Sequence, residues 1–313
     1  MPVARPDNFF DWPAGGQTTE AGADAARRLV ADGLGHRGDM VITPLKHGAS
    51  GMESFRVEEG GRTYYAKVWP STAGVRRLSH ECAWARWASE RKLAPTVRAC
   101  TEGGILTDFV GGAALPGLGA RQSDALRRIF ILLRQVHSQP IANVPDETVF
   151  HGADHARHAL GVLRDSGRAP ATLLRDLNER VASLERALST HTVEAVPCHN
   201  DFHHNNLLDD GRLWLVDWSS AGLGDPYNDL ARLACNLDIA IERAEEVLGH
   251  YQGTFSAEET RRLQLCMALL DLELYAWCAA RPGREDDARY FLTRVDHDRA
   301  VISTWLAEPR TYP

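Results

Sequence analysis

The segment PCHNDFHHNNLLDDGRLWLVDW, residues 197–218, gathers three histidines, three asparagines and Asp201 ahead of an apolar run that ends on Asp217. Three readings compete for it. A metal centre would take His199, Asp201, His203 and His204 as ligands, since imidazole and carboxylate suit zinc or iron. Against this, consecutive histidines point apart, the HxHxDH alternation of a metallohydrolase is missing, and no second His/Asp cluster follows. A polar loop would use the same aspartates and asparagines to cap its neighbours. The third reading is phosphoryl transfer, which needs a carboxylate beside the attacking hydroxyl and oxygen ligands that hold Mg2+ against a triphosphate. His199-x-Asp201-x4-Asn206 with Asp217 supplies both. Asp201 is the base or orienting group, while Asn206 and Asp217 are the metal ligands. The turn Asp209-Asp210-Gly211 lets the flanking residues run back on one another and brings Asn206 and Asp217 together.

These residues resemble the signature of the aminoglycoside phosphotransferase and choline kinase superfamily, relatives of the protein kinases: HxDxxxxN, then (I/L)(I/V)D(W/F), matched by His199, Asp201, Asn206 and Leu215–Trp218. The resemblance covers roughly residues 40–310. It implies an α+β, protein-kinase-like bilobal fold, with a small antiparallel β-sheet lobe and a larger, mainly helical lobe. It also implies ATP and Mg2+ as cofactors, with His199 and Asp201 as catalytic residues. Asp229, in the stretch GLGDPYNDLA (222–231), is then structural and accepts hydrogen bonds from the catalytic-loop backbone. The rival for Asp229 is an ordinary first-turn aspartate stabilised by the helix dipole.

A kinase also needs a phosphate cradle. Lys67, in the strand TYYAKV, and Glu81, fourteen residues on, match the family's ion pair that grips the α and β phosphates. The chain has only three lysines, Lys46, Lys67 and Lys92, and one of them falls where the reading requires it. Upstream, KHGASGMESFRV (46–57) resembles the GxSGxxxYR loop of antibiotic kinases, with Gly48 and Gly51 admitting close backbone approach and Ser50 reaching a phosphate. Tyr65 shares a strand face with Lys67 and either borders the adenine or packs in the core. ILTDFV (105–110) is the inter-lobe hinge, with Asp108, Phe109 and Val110 offering backbone groups to the base.

The elements that must hold these groups are legible in the patterning. Short β-rich runs at 41–45, 54–58 and 63–69 form a meander, with the turn Glu59-Gly60-Gly61-Arg62 between the last two. A helix over 73–92 follows. After Gly111-Gly112 the periodicity is helical over 122–138, 152–165, 171–189, 226–250, 257–281 and 284–307. The expected organisation is therefore a nucleotide-binding lobe over 1–110, with a loose leader at 1–17 and a helix near 18–32, and a catalytic and substrate-binding lobe over 111–313.

With 313 residues and a net charge of −7, the chain can bury one large core or two moderate ones and is not a general nucleic-acid binder. No membrane segment or secretory leader is evident, so a cytoplasmic location is expected. The six cysteines show no CxxC spacing and are expected as reduced, mostly buried thiols.

The expected partner is a small-molecule hydroxyl acceptor that carries a cationic amine, received by carboxylates and aromatics. The candidates are Asp225, Asp271, Trp277 and Trp305, with Glu273 and Tyr275 nearby. Asp271 borders the Leu270/Leu274 helix face and needs a partner, either the substrate amine or an arginine such as Arg294. The form Cys198-His199-Asn200-Asp201 is closer to choline and ethanolamine kinases than to aminoglycoside kinases, although Ser219 stands where choline kinases carry an acid. The alternatives are an antibiotic phosphotransferase and, from another class, a nucleotide-binding pseudokinase.

Overall fold

The structure is a computed structural model that describes residues 19–35, 38–45, 52–69, 75–114 and 123–306. The cradle residues Gly48, Ser50 and Gly51 lie outside the described residues, as does the leader. Helix α1 (Glu20–Leu34) is capped by the Thr19 hydroxyl, which accepts from the Gly22 N–H. Strands β1 (Val41–Pro44), β2 (Glu53–Glu59) and β3 (Arg62–Val68) form the expected antiparallel meander. The β2–β3 hairpin turns on Gly60 and Gly61, both left-handed at φ 58° and 77°, a conformation that costs glycine little. Helix α2 (Val75–Glu90) leads into β4 (Val97–Thr101) and β5 (Gly104–Asp108), giving one five-stranded sheet in the order β1-β2-β3-β5-β4.

Strand alternation sorts this sheet into two faces. Tyr64, Ala66 and Val68 of β3 pack with Phe55, Val57 and Leu106 beneath Ala26, Leu29 and Val30 of α1. Lys67 therefore faces the other way. On that side Ile105, its cross-strand partner, packs with Leu78 and Cys82 of α2. Gly104 is required where β5 passes β3, because a Cβ there would lie 2.4 Å from the Lys67 carbonyl oxygen.

The cysteine expectation needs one correction. Cys198, Cys235, Cys266 and Cys278 are free and buried, but Cys82 on α2 and Cys100 on β4 are joined as a disulfide, their Cα atoms 6.2 Å apart. The pairing depends on α2 lying across β4, and no local spacing encodes it. Alkylation of the denatured, unreduced protein should modify four cysteines by mass spectrometry; six modified cysteines would show the pair open.

Beyond the hinge, β6 (Ala113–Ala114) precedes α3 (Ser123–His137), β7 (Val149–Phe150), α4 (Gly152–Asp165), α5 (Ala171–Leu188) and β8 (Val196–Cys198). The hairpin β9 (Leu207–Asp209) and β10 (Leu213–Leu215), the strand β11 (Gly222–Gly224), and helices α6 (Pro226–Asn236), α7 (Ala244–Tyr251), α8 (Ala257–Ala279) and α9 (Glu285–Leu306) complete the described chain. Two three-stranded sheets, β10-β9-β6 and β7-β11-β8, frame the candidate site. The largest core cluster gathers around α8, which is buried on most of its circumference. The helix expected over 226–250 is two helices. Asp238 takes φ 52°, and the Asn236 amide donates to the Phe202 carbonyl instead of facing solvent. That break ties the end of α6 to the loop carrying Asp201.

Candidate active site

Lys67 Nζ lies 2.7 Å from Glu81 Oε1 and 3.0 Å from Asp217 Oδ1, joining the sheet, α2 and a residue 150 positions later. The lysine is 7% exposed. Burial alone would lower its pKa, but Asp217 and Glu81 outweigh it and hold the ammonium charged far above the usual range. On the same strand face, the Tyr65 hydroxyl is hydrogen-bonded to Ser54 Oγ at 2.8 Å.

The loop after β8 is held from below. Asp229, fully buried in the first turn of α6, accepts the His199 N–H at 2.8 Å and the Asn200 N–H at 2.7 Å, while His137 Nε2 lies 3.1 Å from its Oδ2. Asn200 takes φ 62°, a conformation that this pair of bonds maintains. Burial would raise the Asp229 carboxyl, but His137 and the loop N–H groups draw it below the usual range. A depressed carboxylate contributes stability above its unfolded pKa and loses it as pH falls through the folded value. Asp229→Ala leaves two buried N–H groups without acceptors and should cost about 3–5 kcal/mol, read as a shift in the urea midpoint. An unshifted midpoint would return Asp229 to the ordinary helix-dipole role.

His199 is fully buried, its ring against Trp218 at 4.9 Å and its Nε2 3.0 Å from the Val216 carbonyl oxygen. Burial lowers its pKa, so the ring is neutral and Nε2 donates to Val216. His199 thus ties the loop to the residue before Asp217. Across the hairpin, Leu207 pairs with Leu215, and the Val216 N–H donates to the Asn206 carbonyl at 2.9 Å. The ladder thus carries Asn206 and Asp217 to the same end, with Asp217 at φ 63°. Asn206 Nδ2 donates to the Asp201 carbonyl at 2.9 Å and lies 3.3 Å from Asp201 Oδ2. Burial would raise Asp201, but His203 and Arg232 keep it ionised well below the carboxylate range. Burial likewise opposes ionisation of Asp217, and Lys67 overcomes it.

The metal-centre reading of this loop fails on geometry. His199 is committed to Val216, His204 Nδ1 lies 3.1 Å from Asn236 Oδ1, and the rings of His203 and His204 stand 6.3 Å apart. His137, Cys198 and Asp229 do approach one another, but the Asp229 oxygens accept the loop N–H groups and burial pushes the Cys198 thiol up, so that cluster is a hydrogen-bonded core.

At the hinge, the Asp108 N–H donates to Thr96 and the Phe109 N–H to Thr63, so the sheet uses both. The Asp108 carboxylate is bidentate to Arg98 at 2.7 Å.

The proposed ammonium-binding carboxylates are already paired. Asp225 caps α6 and binds Arg262 Nε at 2.7 Å, and Asp271, 1% exposed, binds Arg294 Nε at 2.8 Å. Each carboxylate thus has an arginine partner, which for Asp271 is the Arg294 that the sequence offered. Trp277 carries the Arg281 guanidinium 4.3 Å from its ring centroid. Trp305 belongs to α9, and its side chain lies outside the described residues. Sequence reasoning missed Arg232, which pairs with Glu273 at 3.0 Å and adds positive charge toward Asp201. It also weighed His203 only as a metal ligand.

A five-stranded antiparallel sheet bearing a lysine–glutamate pair, set against a mainly helical lobe that carries an Asp/Asn/Asp loop, defines a protein-kinase-like phosphotransferase. The chain belongs to the phosphotransferase enzyme family APH, whose model matches residues 41–266. It resembles a choline/ethanolamine kinase family protein from Mesorhizobium loti, with a TM-score of 0.66 and 23% identity over 92% of this chain and 96% of that one. It also resembles the choline kinase LicA from Streptococcus pneumoniae, with a TM-score of 0.67 and 17% identity over 90% and 99%. A LicA structure of this fold was determined in complex with AMP. A curated relative, protein LicA of Haemophilus influenzae, is 41% identical over 56 residues, and that match spans 21% of its length.

Proposed function

We propose that the protein is an ATP- and Mg2+-dependent kinase that phosphorylates a hydroxyl of a small, amine-bearing molecule of the choline, ethanolamine or thiamine kind. The observation that carries this reading is the simultaneous bonding of Lys67 to Glu81 and Asp217, which sets a fixed cation beside the loop holding Asp201 and Asn206. In this reading the nucleotide lies between a lobe of residues 1–110 and a lobe of residues 111–313, with Lys67 gripping its phosphates.

The donor set fits Mg2+, a hard cation that takes oxygen ligands. Asn206 turns its amide nitrogen to Asp201, which leaves Oδ1 for the metal, and Asp217 offers a carboxylate whose Oδ1 also meets Lys67. When bound, the ion neutralises the charge of the β and γ phosphates. The protein's own part is positional. Asp201 accepts the hydrogen of the acceptor hydroxyl and orients its oxygen, and Asp229 and His199 hold that loop in shape.

The relatives with choline kinase names and the net charge of −7 support a cationic acceptor. No described helix is long and apolar enough to cross a membrane, and a cytoplasmic site of action follows from the need for ATP. The test is a coupled ADP-release screen over amino alcohols, thiamine, aminosugars and aminoglycosides. Turnover on an amino alcohol or thiamine supports the reading, and turnover confined to aminoglycosides makes the protein an antibiotic phosphotransferase. Nucleotide binding without acceptor-dependent ADP release would make it a pseudokinase.

A further inference from the structure

His203 stands two residues after Asp201, whose charge it favours. Its Nε2 lies 3.4 Å from Asp201 Oδ2 and 3.1 Å from Asn206 Nδ2. Asn206 Nδ2 in turn is 2.9 Å from the Asp201 carbonyl oxygen and 3.3 Å from Asp201 Oδ2. The three side chains therefore close a triangle around one carboxylate oxygen. Phe202 is fully buried in the core, and the extended backbone at His203 sends the next side chain the opposite way. The Asn206 N–H then returns to the His203 carbonyl at 2.9 Å, so a single 3-10 turn brings residues 203 and 206 together.

We propose that His203 is a positioning residue that holds Asp201 Oδ2 and the Asn206 amide nitrogen together, so that Asp201 Oδ1 faces the acceptor hydroxyl and Asn206 Oδ1 faces the metal. The inference rests on the proposed kinase reading and assigns one oxygen of the base to each task. Among the described residues, Oδ2 meets Asn206 and His203 while no hydrogen bond reaches Oδ1, and the carboxylate is still about a third open to solvent. The two tautomers of the ring serve different contacts. With a proton on Nε2, the ring donates to Oδ2. Without one, it accepts the second Asn206 hydrogen while the first remains on the Asp201 carbonyl. Without the ring, the carboxylate can rotate about its Cβ–Cγ bond and exchange its two oxygens, and the Asn206 amide can flip its nitrogen toward the metal position.

The test compares His203→Gln, which keeps a polar nitrogen within reach, with His203→Phe, which keeps the bulk and removes the polar atoms. The Phe variant should keep the wild-type melting temperature, with kcat lowered ten- to hundredfold and the KM for Mg-ATP raised as Asn206 loses its orientation, and the Gln variant should recover most of both losses. In an Asp201→Asn background the Phe substitution should lower kcat no further, because that part of the effect passes through Asp201, whereas the rise in KM for Mg-ATP should persist. A Phe variant at the wild-type rate, a Gln variant no better than Phe, or a loss that adds fully to that of Asp201→Asn overturns the inference while leaving the kinase reading intact if the wild type turns over. A wild type without acceptor-dependent ADP release fails the kinase reading instead. The geometric claim then still stands on NMR: the Asn206 side-chain amide pair in a 15N-labelled spectrum, assigned by its loss in Asn206→Asp, should move in the Phe variant, and an unmoved pair overturns it.

Discussion

Replacing Asp201 with asparagine is expected to lower kcat by about a hundred- to ten-thousand-fold while leaving nucleotide affinity nearly unchanged. Asparagine keeps the shape and the contact with Asn206 but removes the charge that orients an attacking hydroxyl. Asp201 is suited to that task because His203 and Arg232 keep it ionised despite burial, so no proton has to leave before it can accept one. Nucleotide affinity should survive because the proposed phosphate grip is Lys67, which bonds Glu81 and Asp217 and makes no contact with Asp201. Steady-state kinetics with isothermal titration separate the two quantities. Undiminished turnover would remove Asp201 from the mechanism, and a matching loss of nucleotide affinity would place it on the phosphates.

The second large effect is expected at Asp217. Asp217→Ala removes the only carboxylate proposed for the metal in that loop and one of the two that hold Lys67. Affinity for Mg-ATP should fall by about a hundredfold, close to 2.7 kcal/mol, with little change in the weaker binding expected in excess EDTA. The contrast between the two conditions identifies the metal contact. A mere loss of Lys67 orientation would weaken both alike. Normal Mg2+-dependent affinity in this variant would refute the assignment.

The parts of the site that the sequence made legible are those set by short-range rules. Strand alternation put Lys67 on the face away from Tyr64 and Ala66, and helical spacing carried Glu81 to meet it. The turn at residues 209–211 brought Asn206 opposite Val216, so hairpin geometry alone placed Asp217. What was hidden depended on partners far away in the chain. Whether Asp225 is free to meet a substrate is decided by Arg262, which nothing near that aspartate announces, whereas Arg294 was one of the two partners the sequence offered for Asp271. The Cys82–Cys100 bond required knowing that α2 crosses β4, a strand whose run VRACT mixes polar and apolar residues too evenly to stand out. His199 matched the family signature, but only its complete burial against Trp218 shows that it supports the loop from behind.

The central claim is transfer of a phosphoryl group from ATP to a hydroxyl of a small cationic molecule, and mass spectrometry of the acceptor tests it most directly. Purified wild type, Mg2+ and ATP are incubated with each amino alcohol, thiamine or aminosugar, beside Asp201→Asn as control. The account predicts one acceptor that gains a single phosphoryl group in step with ADP formation, and an Asp201→Asn reaction that yields almost none. It is contradicted if Mg-ATP binds while every acceptor is recovered unmodified, or if the Asp201→Asn protein phosphorylates the acceptor as fast as the wild type.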